Sequence, residues 1–168
     1  VLVIGGGVTG AGIMRDLALR GIHCLLIDRH DLCAGASGGN HGLLHSGGRY
    51  VSNDQQAAVE CRTESNLLKS LAPQCIEQTG SLFVATSSDD QSFAAAFPGW
   101  CREAGISCEQ ISTEEALQLE PQLSRELTAA YLLPDATVDP FRLALENVAD
   151  AQQANSSVYL PHTEVVAF

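Results

Sequence analysis

The sequence predicts an α/β fold built on a parallel nucleotide-binding sheet, with a second region inserted into it. An apolar run, VLVI at 1–4, enters a glycine loop in the spacing GxGxxG at Gly5, Gly7 and Gly10. A helical stretch and a second apolar segment follow, ending in an acid, Asp28. After a middle region without nucleotide chemistry, 79–135, a helix and further apolar segments return.

Each element has a local cause. VLVI is too short for a helix and suits a strand buried on both faces of a parallel sheet. Gly5 permits the tight turn, Gly7 lets a diphosphate approach the main chain, and Gly10 lets helix pack on strand. A helix over 8–20 would aim its unpaired amides and positive dipole end at that diphosphate, and Gly21 would end it. Residues 23–28, HCLLID, form the second strand, with Asp28 about 20 residues beyond the loop, where a carboxylate accepts from an adenosine ribose. From Ala34 to Gly48, six of fifteen residues are glycine, which disfavours a helix and suits backbone lying close to a flat or anionic group.

Helical character returns over 54–72 and stops at Pro73. SLFVAT at 81–86 reads as a strand, and 89–104 as a helix with Phe93, Phe97, Cys101 and Ala104 on one face, broken or kinked at Pro98-Gly99. Ser112 and Glu115 have capping-box spacing for a short helix ending before Pro121, and LTAAYLL at 127–133 is another strand. Asp139-Pro140 starts a helix running to about Gln153, with Asp139 as its cap; Asp135 reads as a turn acid. SVYLP and TEVVAF close the chain as strands. The expected domains are 1–78 with 136–168, which carry the nucleotide-binding sheet, and 79–135, the first part of a substrate or cap domain.

Composition narrows the partners. Nine basic against twenty acidic residues give a net charge of −11, which repels nucleic acid and anionic membrane. No stretch approaches the roughly 18 apolar residues of a membrane span, and 1–4 lack the basic flank of a signal peptide, so a cytoplasmic location is expected. The six cysteines show no CxxC and no metal-ligand spacing, which suits thiols in a reducing compartment and no metal site. The chain opens inside a strand without an initiator methionine and stops just after an apolar segment, so it is expected to be the N-terminal part of a larger protein.

With GGNHGLLHSGGRY added to IGGGVTGAGI before it and PDATVDPFRL after it, the sequence resembles the FAD-dependent glycerol-3-phosphate dehydrogenases, and among them the large catalytic subunits of the anaerobic enzymes. The resemblance implies a Rossmann-like FAD-binding domain of the glycine-oxidase and D-amino-acid-oxidase type, with the start of an inserted α+β cap domain. It places Gly5, Gly7, Gly10 and Asp28 at the FAD diphosphate and ribose, Arg29 near the adenosine, and Ala36, Ser37 and Gly38 in a turn against the diphosphate. It sets His41, Gly42, Leu43, Leu44, His45, Ser46 and Gly47 beside the flavin ring, Arg49 and Tyr50 at the substrate end, and Val165 in a strand whose main chain meets the adenine. Met14 and Gly39 depart from the pattern, which more often has a small residue and an arginine there.

The implied reaction is oxidation of sn-glycerol 3-phosphate to dihydroxyacetone phosphate, with electrons passed to a quinone through partner subunits, which would bring the protein to the inner face of the cell membrane. His45, Arg49 and Tyr50 are the candidate catalytic residues. Arg49 supplies a planar fork for phosphate and Tyr50 a neighbouring donor. As a bare residue His45 reads first as a structural imidazole satisfied by main-chain carbonyls; with the resemblance, positioning flavin or substrate by hydrogen bonding is an equal reading. The catalytic base and the main phosphate-binding residues are expected beyond Phe168. A second reading is an FAD-dependent L-2-hydroxyglutarate dehydrogenase, which also carries a His-Ser-Gly loop; Arg49-Tyr50 and VDPFRL favour the phosphate substrate. A third is a catalytically silent dinucleotide-binding fragment or an NAD-binding regulatory module, against which the long glycine segment favours FAD.

Overall fold

The structure is a computed structural model and describes residues 1–167. The chain packs as two compact units, Val1–Gly42 with Val138–Phe168, and Leu43–Thr137.

The first unit holds the nucleotide-type sheet. Strands β1 (Leu2–Ile4), β2 (Leu25–Ile27) and β9 (Val158–Leu160) run parallel in the order β1-β2-β9. Helix α1 (Val8–Leu19) connects the first two, and α5 (Pro140–Asn155) leads into the last. The core lies on one face of this sheet, where Val3 and Leu26 meet Met14 and Ala18 of α1 and Ala144, Val148 and Ala151 of α5. Met14 is fully buried there: the long side chain that departs from the family pattern is accommodated by alanines at 144 and 151 on the facing helix. Arg15 and Asp150 tie the same two helices with an ion pair of 2.7 Å.

In the second unit, β5 (Ser81–Thr86), β7 (Leu127–Leu133) and β6 (Glu109–Ile111) form an antiparallel sheet in the order β5-β7-β6. Helices α2 (Gln55–Leu71), α3 (Gln91–Glu103) and α4 (Thr113–Leu119) accompany it. A small second sheet joins β3 (Leu43–Leu44), β8 (Ala136–Val138) and β4 (Ile76–Glu77) in the order β3-β8-β4, with Leu43 opposite Thr137 and Leu44 opposite Ala136.

Three expectations change. The packing boundary falls at 42/43 rather than near 78, because Val51 and Ala58 are buried in the core formed by Phe97, Cys101, Tyr131 and Leu133. Helix α3 runs unbroken through Pro98 to Glu103. Proline removes the N–H that would pair with the carbonyl of Ala94, but the buried Tyr131 hydroxyl donates to that carbonyl at 2.7 Å. TEVVAF forms no strand over 163–167, and Phe168 lies outside the described residues. Pro161 lacks a ladder donor and His162 takes a left-handed φ of 51°, which ends β9; the chain stays tethered by the Thr163 amide, which donates to the Asp28 carbonyl at 2.7 Å.

Helix starts divide into two kinds. Asp54, Asp90, Ser112 and Asp139 cap α2, α3, α4 and α5 with their own side chains, Ser112 and Glu115 completing the expected capping box. Helix α1 begins at Gly7, which has no side chain to do this.

Candidate active site

The glycine loop places bare backbone at the start of α1. A Cβ on Gly10 would collide with the carbonyl oxygen of Gly5, so strand end and helix start meet only because this residue is glycine. The Ser37 hydroxyl accepts from the Val8 amide at 3.0 Å, which brings the Ala36-Ser37-Gly38 turn against the helix start. Among the described residues the amides of Gly7, Thr9 and Gly10 meet no protein acceptor. Several N–H donors and the positive end of a helix dipole in one place form an anion site.

Asp28 stands at the tip of β2 and faces this loop. One carboxylate oxygen accepts from the Gly6 amide at 2.6 Å and the other from the His30 amide at 2.7 Å. The His30 and Gly6 amides hold its carboxyl below the ordinary aspartate range, slightly opposed by burial. An ionised carboxylate offers about four lone-pair sites, so capacity for ribose hydroxyls remains. A cavity of about 300 Å³ is lined by Ile4, Gly5, Asp28, Arg29, Thr163, Glu164 and Val165. It brings together four of the sequence-predicted residues, Gly5, Asp28, Arg29 and Val165; Val165 is in irregular chain rather than a strand.

The stretch expected beside the flavin ring divides between the units: His41 and Gly42 belong to the first, Leu43 to Gly47 to the second. Gly47, at φ 102°, packs so closely on α2 that a Cβ would strike the Ala58 backbone. The loop carrying His45 is therefore seated on the second unit's core. Arg49 and Tyr50 follow it on the surface, and among the described residues Arg49 has no carboxylate within ion-pair distance.

Next to His45 the structure reveals a group that local sequence suggests is only a turn acid. Asp135 is 4% exposed. It accepts from the Ser46 amide at 2.6 Å and from the Ser81 hydroxyl at 2.9 Å, and its Oδ2 lies 3.6 Å from His45 Nδ1. Burial pushes its pKa up, but the hydrogen bonds from Ser46 and Ser81, aided by His45, outweigh this and leave the carboxyl below its ordinary value. The sequence signal is an acid two residues beyond an apolar strand, in PDATVD, but the β3–β8 pairing that brings it to His45 links residues about ninety positions apart. Asp139, by contrast, is the helix cap that its Asp-Pro context suggests.

A family model described as DAO, FAD dependent oxidoreductase, matches residues 1–168. The chain belongs to the FAD dependent oxidoreductase family. Over 162 residues it is 48% identical to a subunit of the anaerobic glycerol-3-phosphate dehydrogenase of Escherichia coli (strain K12), a match covering 96% of this chain and 30% of that protein. The chain thus spans about three tenths of the length of that relative. Among solved structures, glycine oxidase from Geobacillus kaustophilus matches with a TM-score of 0.81 at 24% identity, covering 98% of this chain and 46% of that one. The dithionite-reduced L-alpha-glycerophosphate oxidase from Mycoplasma pneumoniae with FAD bound matches with a TM-score of 0.82 at 22% identity, covering 98% and 45%. These likenesses show the Rossmann-like fold of the glycine-oxidase type.

As a member of the FAD dependent oxidoreductase family, the chain can be tested against its cofactor. The residues present fit: the amide-lined loop without side chains suits the diphosphate, and the concavity at Asp28 suits an adenosine. Among the described residues no group of three or more His, Cys, Asp or Glu could hold a metal ion, and no helix is long and apolar enough to cross a membrane. The described cysteines form no disulfide; burial pushes Cys101 up to about 12, away from reactive thiolate character.

Proposed function

We propose that the protein carrying this chain oxidises sn-glycerol 3-phosphate to dihydroxyacetone phosphate with FAD, and that partner subunits pass the electrons to a quinone. The observation that carries this reading is the 48% identity to a subunit of an anaerobic glycerol-3-phosphate dehydrogenase, maintained over 96% of the chain. That the relative is one subunit of its enzyme supports partner subunits, which in this reading bring the protein to the inner face of the cell membrane.

When bound, FAD supplies a two-electron acceptor for hydride. The chain's own residues bind and orient. The backbone at Gly5, Gly7 and Gly10 and the α1 dipole hold the diphosphate, and Ser37 keeps the neighbouring turn against the helix start. Asp28 accepts from the ribose, while Arg29 and Val165 flank the adenosine in the same concavity. His41, Gly42, Leu43, Leu44 and Gly47 lie along the flavin, and His45 hydrogen-bonds substrate or cofactor through its ring. Arg49 pairs with the substrate phosphate through its guanidinium fork and Tyr50 donates beside it.

The purified flavin-loaded protein tests this under anaerobic conditions. Glycerol 3-phosphate should bleach the visible flavin absorbance, and L-2-hydroxyglutarate should not. Bleaching by the hydroxy acid alone, or purification of a colourless protein that takes up NAD, overturns the proposal.

A further inference from the structure

Asp135 has no place in the function just described, yet its surroundings are closely built. A buried carboxylate is destabilising unless its charge is met, and here the partners come from two separate stretches of chain, 45–46 and 80–81. The Ser46 amide and the Ser81 hydroxyl hold the side chain, and the Gly80 amide donates to the Asp135 main-chain carbonyl at 3.2 Å. The carboxylate therefore has a fixed direction. His45 reaches it through strand register: Leu44 pairs with Ala136, so the next residue outward on each strand, His45 and Asp135, meet just beyond the ladder. Gly47 against Ala58 prevents the loop from drifting away.

At 3.6 Å, Nδ1 and Oδ2 are beyond hydrogen-bond distance but well within electrostatic range. A fixed negative charge there repels a ring lone pair and favours a ring N–H. We propose that Asp135 is a positioning residue for His45, holding the imidazole as its Nδ1–H tautomer and so leaving Nε2 as the acceptor on the other side of the ring. The proposal rests on the reading of His45 as an active-site residue. It deepens that reading by stating which ring nitrogen carries the proton and which keeps the lone pair. The His45 side chain is 21% exposed, but both of its ring nitrogens are buried, so the exposed part of the side chain is carbon.

A purely structural Asp135, present only to satisfy Ser46 and Ser81, makes a different prediction. The ring nitrogens of ¹⁵N-labelled histidine report the tautomer directly by NMR in the flavin-loaded protein at mildly alkaline pH, with His45→Asn assigning the signal. The native His45 should show a protonated Nδ1 and an unprotonated Nε2; the opposite tautomer in the native protein overturns the proposal without any further variant. Asp135→Asn should move the population toward Nε2–H and lower kcat for glycerol 3-phosphate about tenfold, with KM nearly unchanged. Ser81→Ala, which removes one hydrogen bond but keeps the charge, should retain tautomer and kcat. An Asp135→Asn protein with the native ring spectrum overturns the proposal. Full turnover in His45→Asn instead overturns the active-site reading of His45, leaving the tautomer measurement to decide the relation between the two side chains.

Discussion

Tyr131 repairs the gap that Pro98 opens in α3, its hydroxyl donating to the carbonyl of Ala94 at 2.7 Å where a residue with an N–H at position 98 would have done so. Tyr131 is 5% exposed, so loss of its hydroxyl would leave a buried acceptor without a partner. Tyr131→Phe should cost about 1–3 kcal/mol in chemical denaturation. In a Pro98→Ala background, where the helix regains its own donor, the same substitution should cost clearly less; equal costs in the two backgrounds would show that the hydroxyl and the proline are unrelated.

Gly10→Ala should abolish flavin retention. The new Cβ would collide with the Gly5 carbonyl and push apart the strand end and helix start that form the diphosphate site. The ratio of flavin to protein absorbance measures this. Gly12→Ala is the matched control: nothing lies within 4 Å of its Cβ, so retention should be unchanged and α1 stabilised by up to about 1 kcal/mol.

Asp28 gives a pH dependence of known sign. Its carboxyl lies below the ordinary 3.8 in the folded protein, so the amides of His30 and Gly6 favour the fold while it is ionised. That contribution is fully present above 3.8 and is lost as pH falls through the lower, folded value. The stability difference between the native protein and Asp28→Asn should accordingly be constant near neutrality and shrink under acid, as denaturation at a series of pH values would show. A difference that does not change with pH would assign the Asp28 carboxyl no such linkage.

Met14→Ala should destabilise by about 2–4 kcal/mol, because it empties a fully buried site between α1 and α5. A smaller loss in a denaturant midpoint series would show that the alanines at 144 and 151 collapse into the space.

Arg49→Ala should raise KM for glycerol 3-phosphate about tenfold or more, and Arg49→Lys should recover only part of it, since an ammonium restores charge without the fork. Unchanged kinetics would remove Arg49 from the substrate site.

What could be read from the sequence is what neighbouring residues decide. GxGxxG followed by Asp28 is a local program of turn, helix and strand, and the structure brings Gly5, Asp28 and Arg29 to one concavity. Ser112 with Glu115 and Asp139 with Pro140 marked their helix starts for the same reason. The unread features depend on distant partners. Pro98 ends a helix by local rules, and only a tyrosine 33 positions later rescues it. Asp135 looks like a turn acid until β8 pairs with β3. Residues 43–78 read with the nucleotide half because they follow it in the chain, while Val51 and Ala58 take their burial from Phe97 and Tyr131.

The bare start of α1 has a thermodynamic consequence. Among the described residues α2, α3, α4 and α5 carry their own stopper and α1 does not, so a nucleotide that completed its start would become part of the protein's folding energy. Stripping the cofactor should therefore loosen the molecule from this corner outward, with amide exchange accelerating at 7–10 before it does in the aromatic core around Phe97.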